Sequence, residues 1–255
     1  MAFAICSVPV APMRKEASHR SEMVSQLLFG EFVEMGEQAG DFTQVKGLYD
    51  GYPGWCQQNQ LKATTGDKVV ETKTFTARFS NEILMNGRAA VIPFGCPLYH
   101  VGQPRFSTGT NEVNYLNVAE GAWHTGKGFT EERLREVAFH FLNTAYLWGG
   151  KSVFGIDCSG FTQQVFKLLD IPLLRDAYLQ AAQGNEVKDL SAAEVGDLLF
   201  FDNDEGRITH VGILLGGKEL IHASGNVHVD KIDAAGIINS VGLRTHHLHS
   251  IRRTK

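Results

Sequence analysis

The chain has 255 residues, 43% of them hydrophobic and 20% charged, with a net charge of −4. That apolar content excludes disorder as the main state, and the mild acidity gives no basic face for a phosphate backbone, so nucleic acid is not an expected partner. No apolar run approaches the roughly 18 residues of a membrane span.

The N-terminal stretch Met1–Arg20 has no Lys or Arg ahead of its short apolar run, and Pro9 and Pro12 interrupt it. A secretory leader wants a basic start and about 7–15 apolar residues. The stretch therefore predicts a first strand, with a removed leader as the alternative. Residues 1–62 then alternate in short segments, at Ala4–Val8, Glu31–Met35 and Phe42–Val45, with turns at Gly36, Gly40-Asp41 and Asp50–Gly54. Strands this short, about ten residues apart, predict a small barrel or sandwich. Residues 63–125 repeat the flavour through Val69-Val70, Thr74–Ala77 and Ala89–Ile92, broken by Pro93–Pro97. They read as a second, smaller β module or connector.

The pattern changes after Gly126-Lys127-Gly128. Thr130 is placed to cap a helix, with Glu131 and Glu132 at its positive end and an apolar stripe at Leu134, Val137, Ala138, Phe141 and Leu142. A glycine-rich loop, Trp148–Gly155, leads to a helix over about Asp157–Leu169, and a shorter helix covers about Arg175–Gln183. Strands follow at Asp197–Phe201, Thr209–Leu215, Glu219–Ala223, Val227–Ile232 and Leu243–Arg252. Helices first and strands afterwards predict an α+β domain with an antiparallel sheet over residues 126–255.

The four cysteines, Cys6, Cys56, Cys96 and Cys158, form no C-x-x-C pair, so neither a structural zinc site nor a disulfide framework is expected. Cys158 differs from the others. It falls in the first turn of a helix, directly after Asp157, where backbone N–H groups and the helix dipole favour an anion, so its thiol pKa is expected to fall. The same N–H groups suit an oxyanion, and Gly149, Gly150, Gly155 and Gly160 leave room for backbone and substrate to approach. His210 and His222 lie on neighbouring strands joined by the Gly216-Gly217-Lys218 turn, which suits a base and the group that orients it. His246, His247 and His249 resemble metal ligands, yet alternation on a C-terminal strand explains them more simply. No metal and no cofactor are expected.

Five ordered motifs carry a resemblance. They are Tyr146-x-Trp-Gly-Gly, Asp157-Cys-Ser-Gly-Phe161, Gly196-Asp-Leu-x-Phe-Phe201, Thr209-His-Val-Gly-Ile213 and Ile221-His-Ala223. Together they resemble the NlpC-type papain-like cell-wall peptidases over about residues 128–255. The resemblance implies an α+β catalytic domain without a metal, with Cys158 as nucleophile, His210 as general base and then acid, His222 as third member, and Tyr146 lining the oxyanion region.

The segments Gln26–Glu31 and Asp50–Trp55 resemble bacterial SH3-like modules, which makes 1–62 an SH3-like β-barrel and 63–125 a smaller SH3-like companion. The whole arrangement is similar to the γ-D-glutamyl-L-diamino-acid endopeptidases (dipeptidyl-peptidase VI). Those enzymes release L-Ala-γ-D-Glu from murein peptides whose L-Ala amine is free. By that resemblance Asp176 and Tyr52 reach the amine, Glu22 joins them in preference to Glu31, and Asp157 and Ser159 contact the dipeptide. Ala177 stands where related sequences often carry Ser. The implied partner is a murein peptide ending in lysine or diaminopimelate, and the expected state is a monomer. A cytoplasmic recycling role is expected, with a periplasmic one as the alternative. An amidase or acyltransferase on the same core, or an inactive wall-binding protein, are the competing readings.

Overall fold

The computed structural model describes residues 1–99, 106–108, 111–115 and 121–255. They divide into two units: Met1–Gly126 with Trp148–Phe154, and Lys127–Leu147 with Gly155–Lys255.

The first unit opens with β1 (Ala2–Cys6), β2 (Val10–Arg14), β3 (Met23–Leu28), β4 (Phe32–Ala39), β5 (Phe42–Gly47), β6 (Pro53–Gln57) and β7 (Leu61–Thr64). These pair in the order β3-β2-β6-β5-β4-β1-β7. Alternate residues turn inward, and the interior is built from Ala4, Cys6, Ala11, Met13, Leu27, Val33, Val45, Cys56 and Leu61. The small side chains among them let the strands curl tightly into an SH3-like barrel.

The same unit continues with β8 (Thr74–Phe75), β9 (Ser80–Met85), β10 (Arg88–Pro93), β11 (Phe106–Thr108), β12 (Asn111–Tyr115) and β13 (Trp123–His124). Asn86 and Gly87 both take positive φ, 52° and 75°, the conformation a two-residue hairpin needs between β9 and β10. Val69 and Val70, expected as a strand, follow a short helical turn at Gly66–Lys68 and belong to no strand. Charged neighbours on both sides, Asp67-Lys68 and Glu71, keep this segment at the surface, where Val70 is exposed. Leu28 and Phe29 share one apolar cluster with Ile83, Ile92, Cys96 and Val113, so residues 1–62 and 63–125 have a core in common. The tail of this unit, Trp148–Phe154, includes β14 (Lys151–Ser152). There Gly149 adopts φ +76°, and a Cβ would fall 2.4 Å from the Met23 carbonyl oxygen, so only glycine fits. Buried Lys151 donates its backbone N–H to Gln26 Oε1 at 2.8 Å and pairs its ammonium with Glu31 at 3.6 Å.

The second unit holds α1 (Glu131–Phe139), β15 (Gly155–Ile156), α2 (Cys158–Lys167), α3 (Ala177–Gln180), β16 (Asn185–Val187), β17 (Leu198–Asp202), β18 (Ile208–Gly216), β19 (Glu219–Ser224), β20 (Asn226–Asp233), β21 (Gly236–Ile238) and β22 (Arg244–Arg253). Thr130 Oγ1 accepts the Arg133 N–H at 3.2 Å and so caps α1. The sheet runs β16-β22-β17-β18-β19-β20-β21, every pairing is antiparallel, and β21 also pairs with β22. Leu199, Phe201, Leu214, Leu220, Ile232, Ile237 and Ile251 fill one face. The buried helix α2 packs on β18 and β19 and meets Phe141 through Phe161, with ring centroids 5.8 Å apart.

Candidate active site

Cys158 opens α2, and Asp157 fixes where that helix begins. Asp157 takes an extended conformation and its Oδ1 accepts the Gly160 N–H at 2.6 Å, an N-cap bond. Its carboxylate also receives both terminal nitrogens of Arg175, at 3.0 and 2.6 Å. Arg175 donates as well to Ser159 Oγ at 3.0 Å. All three residues are buried. Breaking such a pair from one side costs about 3–5 kcal/mol, so Arg175 locks the helix start. Asp157 and Ser159, which the family resemblance assigns to the substrate, both have their side chains engaged in this lock. Arg175 went unassigned in the sequence because its partner lies 18 positions away.

The imidazoles come from two neighbouring strands. Gly212 is directly opposite His222 in the β18–β19 register, and His210 lies two residues earlier on the same face of β18. His210 Nε2 is 2.8 Å from His222 Nδ1, and His222 Nε2 is 3.3 Å from Asp230 Oδ2 on β20. His222 and its hydrogen bond hold the Asp230 carboxyl below the usual range, so it is an anion at neutral pH. An anionic carboxylate only accepts, so His222 carries its proton on Nε2 and leaves Nδ1 as an acceptor. His210 must then donate from Nε2, which frees its Nδ1 lone pair to act as a base. Burial, followed by the neighbouring His222 and His246, depresses the His210 pKa well below normal. The neutral base form therefore prevails. His246 stacks on the His210 ring with centroids 4.3 Å apart.

The Cys158 sulfur lies 4.0 Å from the Thr209 carbonyl oxygen, and a backbone hydrogen bond from Val211 lowers its pKa, so it touches both neighbours of His210 along β18. The expected drop in thiol pKa does not occur. Burial, then the Asp157 charge, pushes the thiol up to about 12, outweighing the hydrogen bonds from Val211 and Ser159 and the charge of Arg175. A helix start stabilises a thiolate only as far as desolvation allows, and Cys158 is 6% exposed. At rest, then, the thiol at the start of α2 and the imidazole of His210 on β18 are both neutral. Tyr146, hydrogen-bonded through its N–H to the Gly225 carbonyl at 2.8 Å, is half-buried. Burial raises its hydroxyl pKa, with Cys158 and Asp157 adding to the shift. It stays a donor near the sulfur.

Asp176 is partly buried at the start of α3 but makes no capping bond; its carboxylate takes a hydrogen bond from Tyr178. Tyr52, in the first unit, packs against the barrel core and is partly buried. Glu22 is exposed and accepts the Trp148 Nε1–H at 2.8 Å, while Glu31 is buried against Lys151. Gly155 faces Leu147, with a Cβ site 2.8 Å from its Cδ2. That glycine, like Gly149, is required by packing within the chain. On β22 only His246 of the trio turns inward; His247 and His249 point to the exposed face, which sets His246 apart from them. Asp230 and His228 were missed in the sequence, where they read as ordinary polar positions of an alternating strand.

A profile of the NlpC/P60 family matches residues 143–242, and one of the bacterial dipeptidyl-peptidase SH3 domain matches residues 13–61. A Bacillus subtilis protein named gamma-D-glutamyl-L-lysine dipeptidyl-peptidase is 34% identical over 215 residues, covering 78% of this chain and 71% of that protein. The chain belongs to the NlpC/P60 family. Dipeptidyl-peptidase 6 of Lysinibacillus sphaericus is similar over nearly its full length, 29% identical across 90% of this chain and 92% of that one. A crystal structure of an NlpC/P60 family protein from Bacillus cereus superposes over 99% of both chains with a TM-score of 0.80 at 20% identity, which establishes the shared fold. This NlpC/P60 protein is accordingly a cysteine peptidase with an N-terminal SH3-like domain.

Proposed function

We propose that this NlpC/P60 peptidase hydrolyses the bond between γ-D-Glu and L-Lys or meso-diaminopimelate in murein peptides with a free N-terminal L-Ala, releasing L-Ala-γ-D-Glu. The observation that carries this reading is the 2.8 Å bond between His210 and His222, anchored on Asp230, together with a cysteine at a helix start whose sulfur meets the backbone on both sides of His210. The names and coverage of the Bacillus subtilis and Lysinibacillus sphaericus relatives support the choice of bond.

The chemistry follows from the tautomers. His210 Nδ1 takes the Cys158 proton as sulfur attacks the γ-carbonyl of D-Glu. Backbone N–H groups at the start of α2 and the Tyr146 hydroxyl hold the oxyanion. The tetrahedral intermediate collapses, the C–N bond breaks, and His210 returns the proton to the departing α-amine of the diamino acid. Water, deprotonated by His210, then cleaves the thioester and restores the thiol. Because the proton leaves sulfur only as the attack begins, a thiol with a raised pKa is compatible with turnover.

Asp176 offers a carboxylate for the substrate ammonium, a charge-assisted bond worth about 1.5–3 kcal/mol. For Glu22 and Tyr52 the same role rests on the resemblance alone. In intact murein the L-Ala amine is acylated, so a free amine marks a fragment already released. That supports a recycling role, and a cytoplasmic site of action is part of the proposal.

The test is a digest of L-Ala-γ-D-Glu-L-Lys and its diaminopimelate counterpart, with free and acetylated amines, read by mass spectrometry. Release of the dipeptide is expected from free-amine substrates, with at least a tenfold loss on acetylation. Equal rates with the acetylated peptide would refute the amine requirement.

A further inference from the structure

The hydrogen-bonded chain behind the base ends in a contact that a neutral imidazole does not satisfy. His228, directly across from His222 in the β19–β20 register, has Nδ1 2.9 Å from the Asn226 carbonyl oxygen and Nε2 3.2 Å from Asp230 Oδ2. A carbonyl only accepts, so Nδ1 carries the proton of a neutral ring. Its Nε2 lone pair then faces a carboxylate oxygen that also only accepts. Two acceptors at that separation call for something positive between them, either a second proton or a metal ion.

We propose that His222, His228 and Asp230 form an inhibitory site for a divalent transition metal of the zinc type. Their ligand atoms all lie within 4.8 Å of one another. The carboxylate oxygen stands 3.3 Å from His222 Nε2 and 3.2 Å from His228 Nε2. Ligands at zinc bond lengths in a tetrahedron sit about 3.3 Å apart. Two imidazoles and a carboxylate suit zinc better than calcium or magnesium, which want oxygen. The His228 proton on a backbone carbonyl is the outer hydrogen bond that a metal-bound histidine commonly makes. Access exists too, since the His228 side chain is 31% exposed while those of Asp230 and His222 are 6% and 1% exposed.

Binding there switches the tautomers. With Nε2 of His222 on the metal, its proton moves to Nδ1 and donates to His210 Nε2. The His210 proton shifts in turn to Nδ1, the atom that should take the proton from Cys158. No proton is lost, yet the base has none of its basic electrons facing the thiol. The metal thus stops the peptidase from behind, without touching sulfur. Inhibition rests on the catalytic assignment above; binding does not.

Two measurements separate these parts. Zinc titration by calorimetry, in thiol-free buffer, uses Cys158→Ala protein so that sulfur cannot bind. One site is expected, weakened at least tenfold by adding His228→Ala. Equal affinity with and without His228 would overturn the site. In the second, zinc inhibition is measured on the wild-type enzyme and on His228→Ala, each first shown active without metal. Wild type is expected to be inhibited reversibly by zinc and rescued by chelator, with His228→Ala needing at least tenfold more. Equal inhibition of both would put the metal on Cys158 and overturn the switch. Absence of any turnover in metal-free wild type would instead contradict the peptidase assignment and leave the calorimetric result to decide the site.

Discussion

His210 and His222 meet at 2.8 Å although they are not partners in the sheet: Gly212 occupies the position opposite His222, and His210 reaches across the diagonal. The residue opposite His222 is therefore one without a side chain. A Cβ on Gly212 would stand 2.9 Å from Leu220 Cγ and Cδ2 and 3.0 Å from His222 Cβ.

Gly212→Ala is expected to displace His222 or Leu220 in order to fit one methyl group. Overpacking of this kind costs about 1–3 kcal/mol of stability. Activity should fall further than stability, since a shift of about 1 Å in the orienting ring costs about 10²-fold in rate. Thermal unfolding alongside kcat on the free-amine tripeptide checks this, and unchanged kcat would contradict it.

Asp230 touches neither substrate nor sulfur. It is a positioning residue that fixes the tautomer of His222. Asp230→Asn keeps the shape and an acceptor but lets the amide turn its NH2 toward the imidazole. The expected result is a kcat lower by about 10–100-fold, the scale of outer-shell partners elsewhere, with KM unchanged. A rise in KM at constant kcat would show that Asp230 serves binding instead.

Alkaline stability follows from the buried thiols. The folded-state pKa of Cys158 is raised from an ordinary 9.0 to about 12, and so is that of Cys56 in the first unit. A raised folded-state pKa means the stabilisation is complete below 9 and is lost as pH climbs toward about 12, because only the unfolded chain ionises in that window. Each thiol contributes a loss of up to about 1.4 kcal/mol per pH unit there. Denaturant unfolding between pH 8 and 11 is expected to show a shallower decline for Cys158→Ala than for wild type. Parallel curves would contradict the raised thiol.

Much of this was legible in the sequence because it is written locally. The Asp157-Cys158 step at a helix start, the hairpin glycines between His210 and His222, and the capping Thr130 each signal through neighbours in the chain. What escaped depends on partners brought in by folding. Arg175 reads as one more surface cation until Asp157 and Ser159 surround it. Asp230 and His228 sit on a strand whose alternation suggests solvent, yet the sheet closes over Asp230. The raised thiol pKa of Cys158 is hidden from the sequence for the same reason, since the helix dipole is visible there and the depth of burial is not. In the first unit, a run of two valines between charged residues mimics a strand but pairs with no strand among the described residues.

The central claim is that Cys158 is the nucleophile and His210 its base. Initial rates of dipeptide release from L-Ala-γ-D-Glu-L-Lys by wild type, Cys158→Ala and His210→Ala test it most directly. Release is predicted to vanish in the first variant and to drop by at least about 10²-fold in the second, with both proteins unfolding near the wild-type temperature. Substantial release by folded Cys158→Ala protein would contradict the account.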